Sequence, residues 1–184
     1  MEQILHIING CYRNDRQSQR SLYEQYYGYF LRVAFRYIDT YEEAGRLTDN
    51  AFIVIFRNFP HFRPARKNGP GFHLTAWMKR MVIAAIIGEL KPKINLPLDC
   101  KLPNPRQEAP HLPPLETPAF YAEAIETIKR LPPEPRTVFN LHVIDRYPLM
   151  EIAKMLGMSE QPITSCIRIS REYCIKSLFT DAHL

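Results

Sequence analysis

Glycine is scarce in this 184-residue sequence, with seven residues, whereas proline is abundant, with sixteen. Because a turn-rich β fold needs glycine at its tight turns, this balance favours helices joined by stiff loops. Hydrophobic residues make up 46% of the chain, a fraction that excludes wholesale disorder. A chain of this length accommodates one or two small domains.

The four cysteines form no pattern that predicts a metal site or a disulfide. Cys11, Cys100, Cys166 and Cys174 include no Cys-x-x-Cys pair and no Cys/His cluster with zinc spacing. Cys166 and Cys174 lie on one predicted helix, about 12 Å apart and too far for a disulfide. We therefore expect free thiols in a reducing compartment.

The sequence also lacks targeting and membrane signals. The N-terminus does not show a basic segment followed by an apolar one. The apolar, uncharged run 81–88 is far shorter than the roughly 20 residues that a membrane span needs. These absences predict a soluble, cytoplasmic protein without membrane insertion.

No group of residues predicts a catalytic site. Asp39, Glu42 and Glu43 are close in sequence, but they lie before and at a predicted helix start, where acids interact favourably with the helix dipole. His73 and His142 lack ligand spacing and a nearby nucleophile motif. We expect a protein that is not an enzyme and that has no cofactor and no small-molecule substrate.

The charge distribution points to a polyanionic partner. The net charge is +5. Residues 1–90 carry 12 Lys+Arg against 8 Asp+Glu, whereas residues 119–184 carry eight of each. The excess peaks in 61–101, where eight basic residues face two acidic ones.

Apolar residues recur at helical spacings along most of the chain. The pattern predicts helices over 22–38, 42–59, 75–90, 120–131, 136–144, 149–156 and 160–178, with Thr75 as the N-cap of the third. Residues 92–118 hold eight of the sixteen prolines and no such periodicity, which predicts an extended linker. The expected fold is all-α, with two small helical domains, 1–91 and 119–184, joined by the Pro-rich linker 92–118.

The segment 148–178 has the pattern of a helix-turn-helix. Gly157 suits the left-handed conformation that ends a helix, Ser159 suits an N-cap, and Pro162 falls in the first turn of the next helix. That helix is predicted to turn its apolar and small residues inward, namely Ile163, Ile167, Ser170 and Cys174. Its polar residues would face outward, where a recognition helix meets the major groove. An ordinary helical hairpin is the alternative interpretation.

Two parts of the sequence resemble regions of bacterial RNA polymerase sigma factors of the extracytoplasmic-function (ECF) group. LPPEPRTVFNL at 131–141 and EIAKMLGMS at 151–159 resemble region 4. LYEQYY at 22–27, AFIVIF at 51–56 and AWMKR at 76–80 resemble region 2. The resemblance covers roughly 20–92 and 119–179, in the order expected for the group.

The resemblance implies a function. Such a factor binds RNA polymerase core and directs promoter recognition and transcription initiation. Its region 2 opens the −10 element, and its region 4 reads the −35 element. Catalysis belongs to the polymerase, so no cofactor is implied, and an anti-sigma factor is a further partner that the group often has.

The resemblance also implies three sets of site residues. The set implied for core binding is Asp49, Asn50, Ile53 and Arg57. The set implied for the −10 element and melting is Trp77, Lys79, Arg80, Lys91 and Lys93. The set implied for the −35 element is Ser159, Gln161, Thr164, Ser165, Arg168 and Arg171. Trp77 can equally be a core residue, and the charged residues can equally be a plain solvated surface.

The sequence departs from the group on the sides expected to face DNA. Ala84, Gly88, Lys91 and Pro92 stand where the group typically has Asn, Asp and an Arg pair. The run 81–87 is apolar all round, so we expect it to be covered by other structure or by a protein partner.

The recognition helix lacks one lysine and two arginines that the group typically has, and Arg168 restores one of these charges. Fewer phosphate contacts weaken DNA binding at physiological salt. The alternative function is therefore a diverged sigma-like protein that acts mainly through protein contacts and reads DNA weakly. An ordinary helix-turn-helix repressor fits less well, because no dimerisation helix follows Leu178.

Overall fold

The computed structural model describes residues 2–63, 70–96, 102–103 and 117–179. Within these ranges the chain forms eight α-helices and no strand, which confirms the predicted all-α fold. The chain divides into two compact units, Met1–Glu89 and Leu90–Leu184. Cys100 and most of the predicted linker lie outside the described residues, so the predicted linker limits stay a prediction.

The first unit contains α1 (Glu2–Tyr12), α2 (Arg16–Phe35), α3 (Tyr41–Asn58), a 3₁₀ turn (Phe59–His61) and α4 (Pro70–Leu90). Asp15 caps α2, because its Oδ2 accepts hydrogen bonds from Ser18 N at 2.8 Å and from Ser18 Oγ at 2.6 Å. Thr40 caps α3 and accepts a hydrogen bond from Glu43 N at 3.2 Å. Glu42 and Glu43 occupy the first turn of α3, as the dipole argument predicted.

Two features of the first unit differ from the sequence-based expectation. The helix α1 was not predicted, although Ile7, Ile8 and Cys11 are buried at helical spacing. The prediction that Thr75 caps a helix is wrong, because α4 begins at Pro70 and Thr75 lies within it. Proline is well suited to the first position of a helix, where its missing N–H is not needed.

The core of the first unit is aromatic. Phe30, Phe52, Phe59 and Phe62 are buried, and their rings form two groups of contacts, Phe30 with Phe52, and Phe59 with Phe62 and with Trp77 on α4. The run 81–87 contributes its β-branched residues to this core, since Val82, Ile83, Ile86 and Ile87 are buried. We expected this apolar run to be covered either by other structure or by a protein partner. Burial by other structure therefore explains most of the run.

The second unit contains α5 (Pro118–Lys129), α6 (Pro133–Phe139), a π-helical turn (Asn140–Ile144), α7 (Leu149–Leu156) and α8 (Glu160–Phe179). The helix α8 packs against α5, α6 and α7. One cluster of its core combines Ile128, Leu131, Phe139, Tyr173 and Cys174. Leu102, from the predicted linker, packs against this cluster.

A buried arginine joins two helices of the second unit. Arg136 is 2% exposed, and its Nη1 donates a hydrogen bond to the carbonyl of Lys129 at 3.1 Å. The acceptor belongs to the last turn of α5, whose terminal carbonyls have no partner within the helix. Arg136 therefore satisfies the end of α5 from inside α6, a role that the sequence pattern did not indicate.

The corner between α1 and α2 leaves no room for a side chain at Gly10. A Cβ at this position would lie 1.9 Å from Ser18 Oγ and 2.5 Å from Ser18 Cβ. Ser18 is buried and is held by Asp15. It cannot move aside without breaking the cap of α2.

We expect Gly10→Ala to destabilise the first unit by about 1–3 kcal/mol through overpacking. Gly28→Ala is the matched control, because only Arg32 Nη1, at 3.8 Å, lies near its Cβ position, and it should stabilise α2 by up to about 1 kcal/mol. Urea unfolding followed by fluorescence of Trp77, the single tryptophan, measures both changes. Equal effects of the two substitutions would contradict the packing argument.

Candidate nucleic-acid interface

The turn between α7 and α8 has the predicted helix-turn-helix geometry. Gly157 adopts the left-handed conformation with φ +73°, and its N–H donates to the carbonyl of Ala153 at 2.8 Å. Met158 N donates to the same carbonyl at 3.0 Å. Pro162 lies in the first turn of α8, as predicted.

The inward face of α8 is the one that the sequence predicted. Ile163, Ile167, Ser170 and Cys174 are all buried. The contacts of α8 with three other helices make this face the centre of the unit. The opposite face of α8 is consequently available to a partner.

The residues predicted to read the −35 element lie on or beside that opposite face. Ser159, Gln161, Thr164, Arg168 and Arg171 are exposed, and Ser165 is half-buried. Thr164 Oγ1 donates to the carbonyl of Glu160 at 2.9 Å, which leaves its oxygen as an acceptor. From Gln161 to Arg171 the stripe runs about 15 Å along the helix.

Arg168 is paired within its own helix. Its Nη1 lies 3.1 Å from Glu172 Oε1, and both side chains are largely exposed. An exposed pair of this kind is weak, so DNA phosphate or a base can displace Glu172. The carboxylate nevertheless offsets the positive charge of Arg168 on this part of α8.

A groove of about 300 Å³ runs beside the exposed face of α8. It is lined by His142, Leu149, Thr164, Ile167, Arg168, Arg171, Glu172 and Ile175. His142 was not predicted as a site residue, because its spacing matched no motif. Its Nδ1 lies 3.0 Å from the carbonyl of Tyr147, across the π-helical turn, and this contact fixes the ring at the groove wall.

The predicted core-binding residues form one exposed face of α3. Asp49, Asn50, Ile53 and Arg57 are all exposed, and Ile53 is 51% exposed. Val54, which was not predicted, adds a second exposed apolar side chain beside Ile53.

A tyrosine of α2 holds one member of this α3 face. Tyr23 OH donates a hydrogen bond to Asp49 Oδ1 at 2.9 Å. Burial, followed by the hydrogen bond to Asp49, raises the pKa of Tyr23 to about 12. Tyr23 therefore remains a neutral donor at physiological pH.

The residues predicted for the −10 element are divided between the two units. Trp77 is half-buried, and its ring lies 5.1 Å from that of Phe62 and 5.7 Å from that of Phe59. Lys79 is half-buried and Arg80 is exposed on the same helix. Lys91 and Lys93 are exposed and belong to the second unit. Stacking of Trp77 on DNA stays a prediction.

The exposed positions of α4 that follow Arg80 carry no polar side chain. Ala84 and Gly88 are exposed, at positions where the sequence departs from the ECF pattern. Neither residue offers a side-chain hydrogen bond to a base. This part of α4 thus offers fewer side-chain donors and acceptors than the sequence resemblance implies.

The described part of the chain shows no metal site and no disulfide-bonded cysteine. Its His, Cys, Asp and Glu residues form no group of three that could hold a metal ion. Cys11, Cys166 and Cys174 are free and buried, and burial raises the pKa of Cys11 to about 12 and that of Cys174 to about 11. None of the described helices is long and apolar enough to cross a membrane.

Comparison with known proteins supports the region 4 interpretation. Residues 121–165, about a quarter of the chain, match the family model described as Sigma-70, region 4. The matched segment covers most of α5, then α6, α7 and the first turns of α8. This part of the chain is therefore similar to the region 4 domain of sigma-70 factors, which indicates a sigma-factor-like role in promoter recognition. No curated protein sequence matches the chain.

The backbone at Gly157 gives a direct test of the helix-turn-helix turn. Gly157→Ala should destabilise the second unit by about 1 kcal/mol, because a residue with a Cβ is strained at positive φ. The space itself is adequate, since the nearest atoms to a Cβ, on Lys91, are 3.5 and 3.6 Å away. Gly157→Asn should cost less, because asparagine tolerates this conformation. Thermal unfolding followed by circular dichroism compares the two, and equal losses would contradict a backbone origin.

Proposed function

We propose that the chain is an ECF-type sigma factor that binds RNA polymerase core and directs it to promoters in the bacterial cytoplasm. The observation that carries the proposal is the match of 121–165 to Sigma-70, region 4, on a helix-turn-helix whose exposed helix face is polar. In this proposal α8 enters the major groove of the −35 element. Gln161 and Arg168 read bases there, since these side chains make bidentate contacts with adenine and guanine. Ser159, Thr164, Ser165 and Arg171 contact bases or phosphates beside them.

The first unit has the region 2 role in this proposal. The exposed face of α3 binds polymerase core through Asp49, Asn50, Ile53 and Arg57. Lys79 and Arg80 of this unit contact the phosphates of the −10 element, as do Lys91 and Lys93, which belong to the second unit. Trp77, which is half-buried, stacks on a melted base.

A second candidate function is supported by specific observations. The pairing of Arg168 with Glu172 and the exposure of Ala84 and Gly88 both weaken DNA contacts. The exposed apolar pair Ile53 and Val54 favours a protein contact. A sigma-like protein that binds core and reads DNA weakly would have these features.

In vitro transcription with polymerase core on a genomic fragment library separates the two functions. We expect transcript starts that share one upstream motif. In the Arg168→Gln variant the sequence requirement in the distal, −35 part of that motif should become less strict, while transcript starts persist. Lys154→Gln is the matched control, because Lys154 is exposed on α7 and outside the proposed DNA face. Competition for core without motif-specific starts would overturn the sigma-factor proposal in favour of the second candidate.

Core binding is tested by charge placed on the α3 face. We expect Ile53→Glu and Arg57→Glu each to weaken binding to purified core by about 10-fold or more, as substitutions at an interface centre do. Leu5→Glu on α1 and Arg32→Glu on α2 are the matched controls, since Leu5 is 41% exposed, close to the 51% of Ile53, and Arg32 is exposed. Equilibrium titration of labelled protein with core measures the affinities. If the control variants lose as much affinity, the α3 face is not the contact.

A further inference from the structure

The exposed face of α3 contains a carboxylate that is tied to the neighbouring helix. Tyr23 on α2 and Asp49 on α3 are 26 positions apart in sequence, and the hydrogen bond of 2.9 Å joins Tyr23 OH to Asp49 Oδ1. Asp49 lies one helical turn before Ile53, so the two side chains share a face. The exposed face therefore combines a fixed anion with an apolar side chain.

The ring of Tyr23 has little freedom to move. Its centroid lies 4.9 Å from the ring of Tyr27 and 4.9 Å from the ring of Phe52. Phe52 is buried in the core of the first unit. The packing holds the Tyr23 hydroxyl at the edge of α3, where it fixes the orientation of the carboxylate.

We infer that Tyr23 is a positioning residue of the core-binding face. It holds the Asp49 carboxylate toward a cationic side chain of the polymerase, and that cationic side chain lies beside an apolar contact of the polymerase with Ile53. The inference rests on the proposed core binding. Asp49 is exposed, and its Oδ1 is engaged by Tyr23 while a carboxylate has further acceptor positions. A carboxylate fixed before binding loses less conformational entropy when the complex forms.

The test is a double-mutant cycle read out as affinity for purified polymerase core. Tyr23→Phe removes the hydroxyl and keeps the ring contacts with Tyr27 and Phe52. We expect it to weaken core binding by about 3- to 10-fold, the effect of one hydrogen bond of ordinary net strength, because this bond is exposed to solvent. Tyr29→Phe, the same substitution on the same helix, should leave the affinity unchanged. In an Asp49→Ala background, Tyr23→Phe should have no further effect.

The outcomes separate the inference from the proposed function. If the unmodified chain does not bind core, the proposed function fails and the inference fails with it. If the chain binds core and Asp49→Ala weakens binding but Tyr23→Phe does not, the inference is overturned and the function stands. An equal loss from Tyr23→Phe with and without Asp49 would indicate a role independent of the carboxylate, and would also overturn the inference. Trp77 fluorescence during urea unfolding verifies that each variant is folded.

Discussion

The second unit depends on one surface, the inward face of α8, against which α5, α6 and α7 all pack. Its large apolar residues each contribute about 1.5–3 kcal/mol by burial, and Ser170 and Ser177 are small buried residues on the same face. Because this face is fully used by the fold, the orientation of the opposite face is fixed as well. The stripe from Gln161 to Arg171 is therefore presented by a helix that cannot rotate without losing the core of the unit.

In the first unit, packed aromatic rings fix the position of the exposed groups in a comparable way. Phe30 packs edge to face with Phe52, and Phe59 packs at a tilt against Phe62. The ring of Tyr23 lies at the border of the first pair, and that of Trp77 lies at the border of the second. Aromatic side chains that carry a polar group suit such a border, since the ring is buried while the hydroxyl or indole N–H stays available. The same packing that stabilises the unit thus sets where its exposed polar groups lie.

Much of the architecture could be predicted from the sequence because it depends on local periodicity. The bounds of α7 were predicted as the structure has them, and the left-handed Gly157 and the inward face of α8 followed from glycine and apolar spacing. The start of α4 at Pro70 was missed, because proline suits both a loop and the first position of a helix. The contacts of Arg136, His142 and Asp49 could not be predicted, since each depends on two residues that only the folded chain brings together.

The π-helical turn at Asn140–Ile144 has a consequence for how this chain can vary. A backbone bond of the π type runs from Asp145 N to Asn140 O at 2.8 Å, so the turn accommodates one residue more than an α-helix would. Deleting a single residue here would let α6 continue regularly and would rotate the following chain by about 100° relative to it. His142 and Leu149 would then no longer line the same groove. The shape of that groove therefore depends on the number of residues in this turn. An insertion or a deletion changes that number, whereas a side-chain substitution does not.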